Sequence, residues 1–470
     1  MKKKTKIVAT IGPASNTREM ISKMMKAGLN VARLNFSHGT QAEHLEVIKI
    51  IRELDQDKAG IAILQDIAGP KIRIGEIAKG SIILHKGDEF ILTEEAVAGN
   101  QQQVTVNHPG FSSSVHQGDR ILINDGLVEL TVIEVTQGKV ICKVESEGMI
   151  SSRKGISLPT ASSGIQLLSE KDKSDIRFGI KHGVDFIAIS FVRNGNDIQE
   201  VRKFIANAGG SVPIIAKIEK PEALKNFDEI LAASDGIMIA RGDLGVEVAF
   251  EKVPIIQKIL IKQTNKACKP VITATQMLVS MVENLRPTRA ETTDVANAIL
   301  DGTDAVMLSE ETAIGKSPDH VVYTMAKMAI EVEKSLNRTY NLNELKEGEK
   351  LTADLLVAET ACRLTKGTDS KAIVCFTMSG STARKVARFR SRVPVFALTQ
   401  NIITCRQLNL CWGINPVLTK SVNSFMELID EAREEMITAI DASKGDNFVI
   451  TAGIPFNEAG KTNLTGVFQV

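Results

Sequence analysis

The side chains best able to do chemistry in this chain come at short, regular spacings. Lys217 and Glu219 stand two apart, as do Arg241 and Asp243, while Arg33, Asn35 and Ser37 step by two along one run. Side chains alternate along a strand, so groups spaced by two aim the same way. Glu219 and Asp243 together supply hard oxygen ligands, and magnesium favours such donors while keeping positions open for water and substrate. Lys217 paired with Glu219 as a purely structural ion pair is the plain alternative. A second carboxylate from an adjacent strand favours the metal. Arg33, Lys217 and Arg73 surround these acids with positive charge. That suits an anionic substrate, above all a phosphorylated one, because phosphoryl transfer needs mainly positioning and charge neutralisation.

Something must carry these groups to one place. From Lys6 to about Glu311, short β-branched runs alternate with longer stretches of helical apolar spacing. Eight runs read as strands: Lys6–Gly12, Asn30–Ser37, Gly60–Asp66, Asp185–Val192, Pro213–Glu219, Asp235–Asp243, Pro270–Gln276 and Asp304–Glu311. Most are apolar on both faces, as covered parallel strands are. Helical segments such as Thr17–Ala27, Glu43–Asp55 and Pro221–Ala233 follow them, and Thr40 with Glu43 and Thr288 with Glu291 spell capping boxes. The expected fold class is α/β: a (β/α)8 TIM barrel with an inserted all-β lid domain and a C-terminal α/β domain. In such a barrel the carboxyl ends of the strands face the substrate. Those ends carry Arg33, Asn35, Ser37, Asp66, Lys217, Glu219, Arg241, Asp243, Thr275, Ser309 and Glu311, which should meet at one mouth.

The alternation breaks at Lys71–Leu168, where Gly-punctuated hairpin patterns replace it. A second α/β pattern follows the polar stretch Asn341–Lys350, with strands at Ala372–Phe376, Pro394–Leu398 and Phe448–Ala452 and helices at Ala353–Leu364 and Ser381–Phe389. The domains are expected at 1–70 and 169–345 for the barrel, 71–168 for the lid and 346–470 for the C-terminal domain.

Composition narrows the partners. Lys and Arg number 57 against 56 Asp and Glu, so no charge excess points to nucleic acid or an anionic membrane. No run of 18 apolar residues suggests a membrane span, and the short run Ile7–Ile11 is too brief for a secretion signal, so a cytoplasmic location is expected. The six cysteines are dispersed without Cys-x-x-Cys spacing, and the seven histidines form no zinc pattern. The cysteines read as reduced packing residues.

Over the whole chain the sequence resembles the pyruvate kinase family. The strings that carry the likeness are Ile11–Ser15 (IGPAS), Asn30–Gly39 (NVARLNFSHG), Gly69–Arg73 (GPKIR), Lys217–Ile230, Asp235–Glu247 (DGIMIARGDLGVE), Thr273–Leu278 (TATQML) and Arg286–Ala313. The resemblance implies phosphoryl transfer from phosphoenolpyruvate to ADP, giving pyruvate and ATP, in a homotetramer. It implies Glu219 and Asp243 as ligands of Mg²⁺, or of Mn²⁺ in its place, and Lys217 as the cation facing the phosphoryl group in flight. Arg33 would hold the phosphate, backbone at Ala240, Arg241, Gly242 and Asp243 the substrate carboxylate, and Thr275 the region of protonation. Asn35, His38, Arg73 and Lys154 resemble nucleotide contacts, with Arg73 counted among the catalytic groups.

Two departures from the family's usual spelling matter. Many members read Asp-Thr-Lys-Gly-Pro-Glu and bind an activating potassium ion through Asn, Ser, Asp and the Thr carbonyl. Here the segment is Asp66-Ile67-Ala68-Gly69-Pro70-Lys71. The Lys71 ammonium can supply potassium's charge covalently, so potassium is expected to be dispensable, with Asn35, Ser37 and Asp66 as a polar cluster around it. The second departure is Ser309-Glu310-Glu311, where Ser-Gly-Glu is common; the extra acid, Glu310, either repels substrate near the mouth or points into a subunit contact or solvent. In the C-terminal domain, Thr377, Ser379, Gly380, Ser381 and Thr382 lie between a strand and a helix and resemble the family's effector-phosphate loop, with Lys461 as a second contact for a phosphorylated effector. The competing functions are a Mg²⁺-dependent lyase or aldolase on the same barrel and a non-enzymatic scaffold. The lid with Lys154 argues against the first, the intact Lys217, Glu219, Asp243 and Thr275 against the second.

Overall fold

The computed structural model describes residues 3–56, 60–70, 72–108, 110–124, 126–159, 166–335, 351–420, 424–454 and 461–470. Eight parallel strands close into a barrel: β1 (Lys6–Thr10), β2 (Val31–Asn35), β3 (Ala62–Ile67), β4 (Phe186–Ile189), β5 (Ile214–Ile218), β6 (Gly236–Ala240), β7 (Val271–Ala274) and β8 (Ala305–Leu308). Around the barrel the order is β1-β8-β7-β6-β5-β4-β3-β2. The alternation seen in the sequence sorts their side chains. Val31, Leu64, Ile215, Met238 and Ile272 pack inside the barrel, whereas Ala32, Ile63, Ala216 and Ile239 face the helices outside. Arg33, Asp66 and Lys217 continue the inward rows at the carboxyl end.

Helix starts follow their capping chemistry. Thr40 with Glu43 and Thr288 with Glu291 form complete capping boxes, so Glu43 and Glu291 each return a bond to the capping residue's own N–H. A third box, Ser169 with Asp172, opens the helix Glu170–Lys181; its shorter acid hid it from a Ser/Thr-x-x-Glu search.

Several strands end earlier than their apolar runs suggest. β6 stops at Ala240 and the chain turns at once into the helix Arg241–Glu247; β8 stops at Leu308 before the short helix Glu310–Ala313. Between β3 and β4 the chain builds a six-stranded sheet whose central hairpin is Val128–Thr136 with Lys139–Val144, plus a two-stranded ribbon, around a separate apolar cluster that includes Phe90 and Phe111. The C-terminal sheet has the order β11-β10-β9-β12-β13, from β9 (Ile373–Phe376), β10 (Val395–Thr399), β11 (Ile414–Leu418), β12 (Asn447–Ala452) and β13 (Leu464–Gln469). The antiparallel β13 is absent from the sequence reading; its half-exposed, weakly alternating residues carry little signal.

The C-terminal domain plugs the amino-terminal end of the barrel. Leu410 joins the cluster inside the barrel. Beside it, Asp304 accepts from Arg390 at 3.0 Å, from the Trp412 N–H at 3.0 Å and from the Val271 N–H at 3.1 Å. Lys4 and Arg390 lie 5.2 and 4.9 Å from the centre of the Trp412 ring, placements that add cation–π attraction.

Candidate active site

The inward rows of β2, β3 and β5 end in one buried charge cluster. Asp66 stands between two cations: its Oδ2 accepts from Arg33 Nε at 2.7 Å, and its Oδ1 lies 3.3 Å from Lys217 Nζ. Lys217 is 9 % exposed and also contacts Glu219 Oε1 at 3.0 Å and Ser190 Oγ at 2.8 Å. The ion pair weighed from the sequence is therefore present, but as one edge of a larger network. Burial opposes the Lys217 charge, yet Asp66 and Glu219 outweigh it and hold its pKa above the ordinary lysine value. Burial likewise opposes the Asp66 charge, and Lys217 and Arg33 overcome it, so Asp66 stays ionised below its usual range.

Glu219 behaves differently. Burial is the largest influence on it and Asp243 adds repulsion, so its carboxyl is held above the usual range although Lys217 pulls the other way. Its Oε2 accepts from the N–H of Phe191 at 2.8 Å. Phe191 has φ of 58°, in the left-handed region that a bulky residue rarely enters. Glu219 and Asp243 both line a cleft of about 790 Å³ between the barrel and the inserted sheet, bounded on the inserted side by Ile156, Ser157 and Leu158. Glu247 lines the same cleft and lies 3.8 Å from Lys220; among the described residues no three His, Cys, Asp or Glu side chains gather as a metal cluster.

Thr275 sits just past β7 with φ of 67°, a strain of about 1–3 kcal/mol for a side chain of its kind. Its hydroxyl accepts from the Gly242 N–H at 2.7 Å and donates to the Ala274 carbonyl at 2.6 Å, which fixes it against the start of the helix Arg241–Glu247.

Not every expected side chain reaches the mouth. Arg241 and Asp243 were expected to share a face, but they lie on a helix, where residues two apart diverge by about 200°. Asp243 faces the cleft, while Arg241 turns outward to Asp294 at 2.7 Å and to the Thr275 carbonyl at 2.8 Å. Glu311 is also withdrawn: its carboxylate accepts from the backbone N–H groups of Leu278 at 3.0 Å and Ser309 at 2.6 Å, a structural use. Glu310 is exposed. Ser37 lies past the end of β2 and is exposed; its N–H donates to Asn35 Oδ1 at 3.2 Å. His38 is exposed on the same turn, and its carbonyl accepts from His44. Arg73 and Lys154 come together in the stem of the insertion, where Arg73 bridges to Gly155 and donates to the Arg153 carbonyl at 3.0 Å. Lys71 lies outside the described residues.

Three residues of the cluster escaped the sequence reading. Ser190 anchors Lys217 and donates its own hydroxyl hydrogen bond to the Ile67 carbonyl at 2.7 Å; Thr10 accepts from Arg33 at 2.8 Å; Phe191 orients Glu219. A hydroxyl at the end of a barrel strand was a usable signal for Ser190 and Thr10, whereas the Phe191 contribution is its backbone, which no side-chain pattern announces.

In the C-terminal domain Gly380, with φ of 79°, caps the helix Ser381–Arg388, and no side chain caps it. Thr377 is buried, Ser379 is exposed, and Thr382 shares a 2.8 Å hydroxyl–hydroxyl bond with Thr462, next to the exposed Lys461.

A (β/α)8 barrel with a buried lysine between acids at its mouth, a β insertion across that mouth and an α/β domain at its base defines a class of phosphotransferases. The chain belongs to the pyruvate kinase family: residues 2–322 match the model for the pyruvate kinase barrel domain and residues 356–468 that for the pyruvate kinase alpha/beta domain. It is 44 % identical to a pyruvate kinase of Geobacillus stearothermophilus over 100 % of this chain and 81 % of that protein, and 42 % identical to one of Clostridium acetobutylicum over 99 % of each. The crystal structure of a pyruvate kinase from Cryptosporidium parvum superposes with a TM-score of 0.93 at 35 % identity, covering 99 % of this chain and 96 % of that one. The enzyme is thus a phosphotransferase using phosphoenolpyruvate and ADP, which sets aside the lyase and scaffold readings. No helix among the described residues is long and apolar enough to cross a membrane.

Proposed function

We propose that the cluster at the barrel mouth carries out the transfer with Lys217 at its centre. The observation that carries this reading is the position of Lys217 Nζ, within 3.3 Å of Asp66, Glu219 and Ser190 beside the cleft that Asp243 also lines. Arg33 holds the phosphate of phosphoenolpyruvate, and Lys217 offsets the charge on the phosphoryl group as its bond to the enol oxygen breaks and its bond to an oxygen of the ADP β-phosphate forms. The enolate left behind gains a proton at carbon beside Thr275 and becomes pyruvate. Backbone at Ala240, Arg241, Gly242 and Asp243 holds the substrate carboxylate, while Asn35, His38, Arg73 and Lys154 contact the nucleotide.

Glu219 and Asp243 fit a Mg²⁺ ion, or Mn²⁺ in its place: both ligands are oxygens, both line one cleft, and their mutual repulsion is what a divalent cation between them would relieve. Held by these two carboxylates, such an ion would supply charge neutralisation for the phosphoryl group. Potassium is dispensable. Asp66 already spends both oxygens on Arg33 and Lys217, Asn35 Oδ1 takes the Ser37 N–H, and the Ile67 carbonyl takes Ser190. These are the donors a potassium ion would need, and Lys71 brings the charge instead. The loop Thr377–Thr382 with Lys461 receives a phosphorylated effector, its uncapped helix start offering free N–H groups. Phe250, 80 % exposed, with Ile255 and Ile259 on the helix Val253–Lys266, forms an apolar face suited to subunit contact in a homotetramer. The domain limits follow as 1–70 with 169–345, 71–168 and 346–470, and the enzyme works in the cytoplasm.

A coupled assay of ADP-dependent pyruvate formation tests this reading. Activity should need a divalent ion and should survive replacement of potassium by a large inert cation at fixed ionic strength; collapse on that replacement would refute the role given to Lys71.

A further inference from the structure

A second cluster of charge lies at the other end of the barrel, where it meets the C-terminal domain. A narrow crevice there is lined by Lys269, Arg384, Arg388 and Arg390, together with Cys268 and Asp304. Four cations thus face one carboxylate, and that carboxylate is already occupied by Arg390 and two backbone N–H groups. Lys269 is spent on the carbonyls of Leu231, Ala232 and Ser234. Arg384 donates to a neutral carbonyl, that of Ser379, at 3.1 Å, and Arg388 lies against the Phe389 ring and beside the Cys268 thiol. Arg390 is 8 % exposed, and its Nε is a buried donor with no hydrogen-bond partner. Buried donors in native folds are satisfied almost without exception, so a lone one beside an opening points to a missing acceptor. Guanidinium groups in that number, in excess over acids, match the oxygens of a tetrahedral dianion better than any other common ligand.

We propose that this crevice binds a phosphate-type dianion, either free phosphate or the phosphoryl end of a small metabolite, held by Arg384, Arg388 and the Nε of Arg390. Arg384 and Arg388 belong to the helix Ser381–Arg388, and Lys269 and Asp304 immediately precede β7 and β8. A bound anion therefore sits among arginines of the C-terminal domain, against the end of the barrel that carries β7 and β8. The crevice is separate from the loop Thr377–Thr382 at the start of that helix.

Cys268 is half-buried in the crevice wall and reports on it directly. The intact enzyme is treated with an aromatic disulfide reagent, and modification of the Cys268 peptide is followed by mass spectrometry in chloride and in phosphate at equal ionic strength. Phosphate should slow labelling in proportion to occupancy, about tenfold at ten times its dissociation constant. A sugar monophosphate that protects at lower concentration than phosphate identifies the phosphoryl end of a metabolite as the ligand; equal or weaker protection identifies free phosphate. Arg384→Gln and Arg388→Gln should each abolish the ratio of rates between the two buffers, and Thr382→Val, in the separate loop, should preserve it. The proposal is overturned if phosphate leaves wild-type labelling unchanged, a measurement that needs no variant to fold. It is equally overturned if protection persists in both arginine variants or disappears in Thr382→Val.

Discussion

Two buried lysines at opposite ends of one barrel are driven in opposite directions. Lys217 at the mouth is surrounded by Asp66 and Glu219 and keeps its charge well above the ordinary lysine range. Lys6 at the base donates to the neutral Ile414 carbonyl at 2.6 Å. Burial dominates there, with Cys411, Glu333 and Asp304 only partly offsetting it, and its pKa falls to about 8. Desolvation acts on both; the difference is whether a carboxylate stands within contact distance. The mouth gathers more acid than base around its cleft and so is ready for a cation, whereas the base gathers guanidinium groups around a single aspartate. One end is arranged for turnover and the other for holding two domains together.

The sharpest way to break this contrast is to remove the central charge at the mouth. Lys217→Met should lower kcat by about 10³-fold or more, with circular dichroism and the thermal transition showing a folded protein. Turnover close to wild type would mean that the ammonium is not facing the reacting phosphoryl group.

At the base the same kind of change should act on stability. Asp304→Ala leaves Arg390 buried without its counter-charge, a loss of about 3–5 kcal/mol, read by urea denaturation. Enzyme that remains folded should keep its kcat. A variant as stable as wild type but catalytically impaired would reverse the division of labour between the two ends.

Lys6 allows a finer test through pH. Its folded pKa of about 8 lies below the unfolded value of 10.5, so between these limits the unfolded chain binds more protons and stability rises with pH. Wild type should therefore gain stability relative to Lys6→Met as pH climbs from 8 to 10.5, by at most about 3 kcal/mol. A flat difference across that window would show that Lys6 finds a counter-charge in the folded state.

The smallest expected effect belongs to Ser190→Ala. Loss of the 2.8 Å bond leaves Lys217 charged but less well held, which should cost about tenfold in kcat, in line with the 1.5 kcal/mol or so of a hydrogen bond to a charged group. The pH dependence of stability near Lys6 should not change.

Much of the mouth could be foreseen because barrel strands impose a period of two. Spacing put Arg33 with Asn35 and Lys217 with Glu219 on shared faces and strand ends put Asp66 at the mouth, and the register between β2 and β3 sets Asn35 opposite Asp66. Counting failed at Arg241, where a strand gave way to a helix and the period changed beneath the same apolar string. It also could not find the Phe191 N–H that orients Glu219, because a backbone donor has no residue type.

Residue order alone therefore settled which barrel strands form, which of their residues share a face and what class of reaction the charges at their ends can serve, since these depend on local periodicity and on the chemistry of each side chain. Folding in three dimensions decided which charges compensate one another: that Asp66 is shared by Arg33 and Lys217, that Arg241 and Glu311 are withdrawn into structural roles, and that three arginines of one domain meet a lone aspartate of another. Electrostatic energy depends on separation and burial, and both become defined only when segments far apart in the chain come into contact.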